Sequence, residues 1–390
     1  MKPATVNTKF LEFCRSHGYS LRNPVSILDS DATVMFVNAS MTPFKPVMLA
    51  SQSVPKTAVV QRCFRNYGGI TYLNGFDMLG IVADAPALFG VFTDLLNFLD
   101  SIGIGKQYLH MVIDSRDGDL LAAAGEMLPS ARIHTQTGDS KRFFTRWKFG
   151  HGDALIGRGL TIAGEIPGMD ACSDSCGWNC TNCRKFLPLG NIIMVRNSGT
   201  GKDYIDAGFG TEVVASFFHR GDIMQTPPFC GYVDVLTPCH GLQNPRLVVR
   251  LLLAVRELLA AGLKPGTHKQ NYLLRKFMRE LFAALNLGAD EKKAAAALRE
   301  MFVRLNSYGA GREWALPELE MGKELRAYVQ AVKRGTRGAR TFLAKTKCRS
   351  AAECRDKIRE TYGLPDDIID QLLTVKFNQG NREGISNEKA

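Results

Sequence analysis

The pattern of hydrophobic and polar positions divides the chain into two parts. Up to about residue 237, short runs of β-branched and aromatic residues alternate with segments of helical periodicity, which predicts an α+β unit. The predicted strands are residues 33–37, 58–64, 108–113 and 192–195. The predicted helices are residues 8–17, 85–101 and 119–127. Because no regular strand–helix–strand series occurs, we expect a sheet assembled from strands distant in sequence.

The second part has helical periodicity throughout. Its predicted helices are residues 246–261, 269–287, 290–305, 316–332 and 351–362, separated by breaks that contain Gly or Pro. We therefore predict two domains, 1–236 and an all-α domain 237–390. The longest apolar run, residues 247–263, is interrupted by Arg250, Arg256 and Glu257, which argues against a membrane span.

Charge separates the same two parts. The chain has 390 residues and a formal charge of +11. Residues 1–240 hold 21 basic and 21 acidic side chains, whereas residues 241–390 hold 28 and 17. A neutral unit joined to a basic one predicts a polyanionic partner, nucleic acid first, although a solvated helical surface explains the charge equally well. The ordinary composition excludes a disordered, collagen-like or disulfide-scaffold protein.

Four cysteines occur within twelve residues: Cys172, Cys176, Cys180 and Cys183. This spacing allows four thiolates to close a tetrahedral structural zinc site without help from elsewhere in the chain. An iron–sulfur cluster on the last three, or unligated thiols, are the alternatives. Clustered cysteines and an N-terminus without the apolar core of a signal peptide predict a cytoplasmic protein.

Two further segments carry candidate chemistry, although the G-x-x-x-x-G-K-[ST] and G-x-G-x-x-G phosphate loops are absent. Residues 204–212 (YIDAGFGTE) predict a strand that turns through two glycines into a helix. There the Asp206 carboxylate would hold a substrate ammonium, or would cap the helix. Arg65 ends a predicted strand beside a Gly-rich loop, which suits a phosphate or carboxylate, or a solvated arginine. His151 is a candidate base or donor.

The order of these motifs resembles the alanyl-tRNA synthetase family of class II synthetases. Residues 31–45 (DATVMFVNASMTPFK) resemble its DPTLLFTNAGMNQFK, and QRCFR…FDMLG (61–65 and 76–80) resembles its motif 2, QRCVR…FEMLG. WKFG (147–150) is similar to WQMG, GNIIM (190–194) to WNIVF, and DAGFGTE (206–212) to the motif 3 run DTGMGLE. YLLRK (272–276) and TYGLPDD (361–367) resemble YVLRR and TYGFPVD of the helical tRNA-recognition domain.

The resemblance implies a fold and a set of roles. The fold is a class II synthetase-like antiparallel sheet flanked by helices, followed by an all-α tRNA-recognition domain. Arg65 would be catalytic and would contact the α-phosphate or the reacting carbonyl. The aminoacyl site would comprise Trp147, Asn191, Ile193, Asp206 and Gly208. The nucleotide or adenosine-like acceptor would meet Arg65, Phe76, Asp77 and Gly210. The tRNA acceptor stem would meet Lys269, Arg275, Lys276 and Asp367.

The departures from the family concern ATP and tRNA reading. Val213 and Ile70 stand where the family has an ATP-binding Arg and Lys, and Lys269 replaces the Asn that reads the acceptor-stem G·U pair. Each missing cation removes a charge-assisted contact worth about 1.5–3 kcal/mol. The sequence therefore predicts transfer of an aminoacyl group from aminoacyl-tRNA to a small-molecule acceptor in specialised metabolism. The alternatives are alanine activation with ATP and Mg followed by ligation, and a non-catalytic tRNA-binding paralogue.

Overall fold

The structure is a computed structural model that describes residues 1–66, 72–140, 142–150, 152–239, 242–288, 290–308, 314–345 and 350–383, without the side chains of 367 and 377–383. The chain forms two compact units, Met1–Cys230 and Gly231–Ala390. In the described residues, no helix is long and apolar enough to cross a membrane.

The first unit contains a nine-stranded sheet. Its strands are β1 Ser20–Leu21, β2 Thr57–Phe64, β3 Gly75–Asp84, β4 Leu109–Asp114, β5 Ile133–Gln136, β6 Arg146–Lys148, β7 Leu155–Glu165, β8 Phe186–Asn197 and β9 Asp203–Gly210. Their order is β1-β2-β3-β9-β8-β7-β4-β5, and β6 pairs with β7. All neighbours are antiparallel except the pairs β1–β2 and β4–β5. The prediction of an α+β unit with a largely antiparallel sheet flanked by helices is confirmed, and the sheet is mixed at its two ends.

One face of this sheet is covered by helices α1 Pro3–Ser16, α3 Leu88–Ser101, α4 Gly118–Met127 and α5 Thr211–Ser216. Helix α2 Lys45–Leu49 packs on the opposite face through Met48, and helix α6 Phe229–Leu236 begins at the end of the first unit and lies mostly in the second. The main hydrophobic core contains Phe10 from α1, Phe92 from α3, Leu120 from α4 and Val214 from α5. Because strand side chains alternate between faces, every second residue of the central strands enters this core.

The strand predicted at residues 33–37 is wrong. The segment is a series of turns in which the Thr33 N–H donates to Asp31 Oδ1 at 2.8 Å. Two of its side chains are nevertheless buried: the Phe36 ring lies 4.9 Å from the Phe64 ring, and Val37 is fully buried. The composition thus indicated burial at these two positions. The Phe64 N–H of β2 donates to the Val37 carbonyl oxygen at 2.9 Å, but the described segment forms no ladder with that strand.

The second unit is helical. Its further helices are α7 Pro245–Ala260, α8 Lys269–Ala284, α9 Glu291–Tyr308, α10 Ala315–Lys345, α11 Ala351–Tyr362 and α12 Asp366–Glu383. Helix α10 continues beyond the predicted end at residue 332, through Gly335 and Gly338. A Cβ at Gly338 would lie 2.6 Å from the Tyr362 ring, so the glycines are there for close packing rather than to end the helix.

Candidate functional site

One row of the sheet brings together residues from four strands. Gly80 of β3 pairs with Gly208 of β9, Gly208 with Asn191 of β8, and Asn191 with Thr161 of β7. Directly paired residues point to the same face, and this face, opposite the main core, is called the site face here. The two glycines leave a shallow gap in its side-chain layer.

Asp206 stands beside this gap. It lies inside β9 and pairs with Ile193, so it does not cap the following helix. The carboxyl group is 4% exposed, and Ser40 Oγ donates to its Oδ1 at 3.2 Å. Burial raises the pKa of Asp206 to about 7, and the single hydrogen bond from Ser40 opposes this only weakly. Among the residues described, no cation pairs with this carboxylate.

The gap is built by close approach of Ser40. A Cβ on Gly80 would lie 2.1 Å from Ser40 Cβ, which no rearrangement of a short side chain relieves. A Cβ on Gly208 would lie 3.0 Å from Met78 Sδ and 3.7 Å from Ser40 Oγ. Gly80 is therefore required for Ser40 to reach Asp206, whereas Gly208 leaves space next to the carboxylate.

Apolar and amide side chains form the rest of this neighbourhood. Ile193 is 5% exposed and belongs to a small core cluster that Trp147 packs against. Asn191 Oδ1 accepts from Thr161 Oγ1 at 2.8 Å. The structure thus places four predicted aminoacyl-site residues on the same face of the sheet as Asp206. They are Trp147, Asn191, Ile193 and Gly208.

Arg65 lies just beyond the end of β2. Its Nε and Nη2 donate to the Asn38 carbonyl oxygen at 3.2 and 3.1 Å, and its guanidinium lies 5.0 Å from the centre of the Phe76 ring. Phe76 pairs with Cys63 on the site face. The arginine is thus held by one carbonyl and one ring, with no carboxylate among its described partners, and part of it is exposed.

Asp77 and Glu212 belong to the opposite face. Asp77 accepts from Asn7 Nδ2 at 2.8 Å and pairs with Arg62 at 3.1 Å. Its N–H donates to Glu212, whose pKa burial raises to about 7 although Arg62 opposes the shift. The structure therefore does not bring Asp77 together with Asp206 and Arg65.

The start of α5 carries no cation. Gly210 ends β9, and Val213 packs partly against the main core, where it lies 3.4 Å from the space that a Gly210 Cβ would occupy. The other two positions that bear on this part of the site, Ile70 and His151, lie outside the described residues.

The four clustered cysteines form a separate site in the first unit. Their sulfur atoms all lie within 4.8 Å of one another, and the Cys172–Cys180 and Cys176–Cys183 sulfurs are 3.4 and 3.6 Å apart. Tetrahedral Zn–S bonds of about 2.3 Å place sulfurs about 3.8 Å apart, so the set fits such an ion. The Asn182 N–H, with the Cys172 thiol, lowers the pKa of Cys180 to about 6.

Trp178 lies between the second and third of these cysteines and connects them to the sheet. Its ring stacks on His134 with centroids 4.8 Å apart and an angle of 9°, and it also packs on Phe143. Burial lowers the pKa of His134 to about 4, which keeps the imidazole neutral. The cysteine cluster is therefore anchored over the β4–β5 end of the site face.

Two of the predicted tRNA-binding side chains are already engaged within the helical unit. Arg275 Nε lies 3.0 Å from Glu324 Oε1, and Lys276 pairs with Glu280 at 3.7 Å. Lys269, the first residue of α8, is exposed with φ +45°. Asp367 lies in α12, and its side chain is not among those described.

Ser40 and Gly80 are site residues that sequence reasoning missed. The Ser40 hydroxyl reaches a carboxylate 166 positions away, and no local pattern indicates such a contact. Gly80 lies inside a strand, where glycine often marks a close backbone approach, so that signal was present.

Comparisons with known proteins agree with the order of motifs. The family model "tRNA synthetases class II (A)" matches residues 5–78. The alanine–tRNA ligase of Oleidesulfovibrio alaskensis is 22% identical over 97% of this chain and 48% of its own length. That of Thermobifida fusca is 24% identical over 74% of this chain and 36% of its own length. The chain thus spans about half the length of the relatives it matches, or less.

A comparison of folds gives a distant similarity. Apo histidyl-tRNA synthetase from S. aureus aligns with 55% of this chain and 65% of its own, at 12% identity and a TM-score of 0.37.

Proposed function

Since the chain is an alanyl-tRNA synthetase-like member of the class II synthetases, we propose that it transfers an aminoacyl group, most simply alanyl, from aminoacyl-tRNA to a small-molecule acceptor. The first unit would hold the aminoacyl group and the acceptor, and the helical unit would hold the acceptor stem of the RNA. Specialised metabolism is the setting in which such a reaction would be used.

One observation carries the proposal: Asp206 is a buried carboxylate with a single hydrogen bond, beside a gap left by Gly208. A carboxylate in this state is stabilised by a cation that arrives with the ligand. The α-ammonium of an aminoacyl group supplies that cation, and a methyl side chain is small enough to lie against Ile193 and Trp147. The relatives' names, alanine–tRNA ligase, agree with an alanine-sized group.

Arg65 would act on the reacting carbonyl. The acceptor nucleophile attacks the ester carbon, a new bond forms there, and the bond from that carbon to the tRNA ribose oxygen breaks. The acceptor's proton moves to the departing ribose oxygen. Arg65 would stabilise the negative charge that develops on the carbonyl oxygen, with Phe76 and the Asn38 carbonyl holding its guanidinium in place.

Val213 favours this reading over ATP-dependent activation. In the described part of α5, no side chain offers a cation to a triphosphate. Transfer from a charged tRNA needs no such clamp, because the ester is already activated. Activation of alanine with ATP remains the second candidate, since the relatives that match over most of this chain are ligases.

The cysteine cluster would hold a structural zinc ion. Four thiolates are a donor set that zinc accepts, and they leave no open position for a substrate. Its place over the β4–β5 end of the sheet suits a stabilising role for the loop that carries Trp178.

The decisive experiment compares two reactions. Purified alanyl-tRNA with a panel of small amines and alcohols should give alanylated product without ATP, and the protein should not catalyse alanine-dependent ATP–pyrophosphate exchange. Arg65→Ala should abolish transfer and leave RNA affinity nearly unchanged. Arg196→Ala, which removes an exposed arginine paired with Asp203, is the matched control and should transfer normally.

Each other outcome has a definite meaning. Exchange of pyrophosphate would replace the proposal with the second candidate. Absence of both reactions, with RNA binding retained, would identify a non-catalytic RNA-binding protein. A parallel loss of transfer and RNA affinity in Arg65→Ala would indicate a folding defect and remove the argument for its role.

A further inference from the structure

The helical unit contains a long segment without any acidic residue. From Leu325 to Ala352 there is no Asp or Glu, whereas eight Lys or Arg residues occur: Arg326, Lys333, Arg334, Arg337, Arg340, Lys345, Lys347 and Arg349. Six of these belong to α10. Over a helix, such a segment produces a positive field that no carboxylate within the segment offsets.

Four of these side chains share one face of α10. At 100° per residue, positions 326, 333, 337 and 340 fall within about 60° of one another and span about 21 Å of helix. All four are exposed, on the side away from Leu325, Val332 and Ala339, which are buried. We call Arg326, Lys333, Arg337 and Arg340 the α10 stripe.

The arginines of the α10 stripe lack the partners that other basic residues of this unit have. Arg326, Arg337 and Arg340 form no ion pair with any residue that the structure describes, and Lys333 faces Asp290. By contrast, Arg275 and Arg279 of α8 both contact Glu324 Oε1, at 3.0 and 3.2 Å.

The arginines of α8 have a structural role, whereas the arginines of the α10 stripe are available to a ligand. Glu324 is 13% exposed and lies on α10, so the two α8 arginines fasten α8 to α10. Removing them leaves a half-buried carboxylate without partners, which is a cost in stability. An arginine committed in this way is a poor phosphate ligand, whereas those of the α10 stripe are free to bind one.

The stripe is presented on a rigid support. On another side of α10, Gly335 and Gly338 allow Leu364 and Tyr362 to pack directly on the helix backbone. The helix therefore cannot rotate to bury or expose its charges without breaking that packing, so the spacing of the helix positions that carry these side chains is fixed before a ligand arrives.

We propose that the α10 stripe is the surface that binds the phosphate backbone of a double-helical RNA stem. The inference rests on the proposed function. It assigns the contact with the RNA phosphate backbone to α10 rather than to Arg275 and Lys276, which the sequence predicted. Arginine suits this ligand, because its planar fork donates two hydrogen bonds to one phosphate.

An anionic membrane is a weaker match for the same charges. A helix that lies in a bilayer surface needs an exposed apolar face to insert. Alongside the stripe, the large apolar residues of α10 such as Val329 and Val332 are buried, and the exposed positions there are Ala327, Gln330 and Thr341. The exposed leucines of this helix, Leu316 and Leu319, precede the stripe at the start of α10. Phosphate binding without insertion is what this surface allows.

The test uses the full chain and three charge-removing variants: the stripe variant, a control variant and Arg275→Ala. The stripe variant combines Arg326→Ala, Arg337→Ala and Arg340→Ala. The control combines Lys264→Ala, Lys292→Ala and Arg299→Ala, which removes the same charge from exposed positions elsewhere in the helical unit. The probe is a 12-base-pair RNA hairpin with an unpaired 3′ end, and fluorescence anisotropy gives Kd between 50 and 200 mM salt.

The stripe variant should bind the hairpin at least tenfold more weakly at 50 mM salt, and the control less than threefold more weakly. The slope of log K against log salt should fall in magnitude by about two to three, since each phosphate contact contributes about 0.7–0.9. Arg275→Ala should lower the melting temperature of the protein, while its Kd for the hairpin should stay within threefold of the wild-type value. A variant that combines Arg326→Lys, Arg337→Lys and Arg340→Lys keeps the three charges and should retain most of the slope. It shows whether a loss in the alanine variant comes from the missing charges or from misfolding.

The outcomes distinguish this inference from the proposed function. Equal losses in the stripe and control variants, or an unchanged slope, would overturn the stripe while alanyl transfer remained intact. A wild-type chain that does not bind the hairpin, or binds phosphatidylserine vesicles instead, would overturn the inference and the RNA part of the proposed function together.

Discussion

Asp206→Asn should make the protein without ligand more stable, and increasingly so as pH rises. The substitution keeps the size of the side chain and removes its charge. In the native protein, this carboxylate is 4% exposed with one hydrogen bond, from Ser40. Its ionisation is therefore unfavourable in the folded state until a cation binds.

The magnitude follows from the shift in pKa. The pKa of Asp206 rises from an ordinary 3.8 to about 7 on folding. Because the folded state holds this proton more tightly, ionisation reduces stability progressively between these two values, and the full penalty is present above pH 7. With 1.36 kcal/mol per unit, the penalty is about 2 kcal/mol at pH 5 and about 4 kcal/mol at pH 8. The Asp206→Asn variant would carry no penalty at either pH, because its amide does not ionise.

The assay is urea unfolding of both proteins at pH 5 and pH 8. Glu212 titrates in the same range, but it is present in both proteins and cancels in the difference. Asp84→Asn is the matched control. Burial acts to raise the pKa of Asp84, yet hydrogen bonds from Ser53 and the Val54 N–H and the charge of Lys202 outweigh it and lower the pKa. Asp84→Asn should therefore destabilise, more at pH 8 than at low pH.

A ligand completes the test. L-Alaninamide offers an ammonium and a methyl group, and it should stabilise the wild-type protein at pH 7.5 but not Asp206→Asn, while N-acetyl-alaninamide should stabilise neither. If Asp206→Asn were less stable than wild type at pH 8, or if its advantage did not change with pH, the carboxylate would be satisfied within the protein. The argument for an ammonium site would then fail.

Two further predictions concern packing and metal. Gly80→Ala should lower the free energy of unfolding by about 1–3 kcal/mol or more, because its Cβ would lie 2.1 Å from Ser40 Cβ; urea unfolding of the variant measures this, and a neutral effect would contradict the close approach. Metal analysis should find about one zinc per chain, and Cys176→Ser should lower this zinc content. The same variant should shift the fluorescence of Trp178, which stacks on His134. Iron, or no metal in the wild type, would exclude the zinc site.

Much of the fold was accessible from sequence, because helical periodicity is a local signal. The helix predicted at 351–362 has those bounds in the structure, and the helix predicted at 246–261 begins and ends one residue earlier. The failures involve non-local packing. Residues 33–37 have strand composition, but the described segment meets β2 at its end without forming a ladder. Helix α10 continues through Gly335 because a distant leucine, Leu364, packs there.

The site was less accessible. The sequence placed Asp206 on a strand and Asn191 directly before one. Their positions on one face of the sheet follow from the register between β8 and β9, which the hydrophobic pattern of either strand alone does not fix. The strand period alone indicates one further feature of the site: Phe76 and Asp77 are adjacent in β3, so their side chains point to opposite faces of the sheet.

Asp206 and Glu212 show how such a structure distinguishes a ligand site from a structural pair. Both carboxyl groups are 4% exposed, and burial raises both pKa values to about 7. Glu212 accepts from the Asp77 N–H and lies 3.5 Å from Arg62, so its charge is partly compensated within the protein. Among the described residues, Asp206 has a hydrogen bond from Ser40 alone, beside the gap at Gly208. Both carboxyl groups are equally buried but unequally compensated, and the proposal of a substrate ammonium at Asp206 rests on this asymmetry.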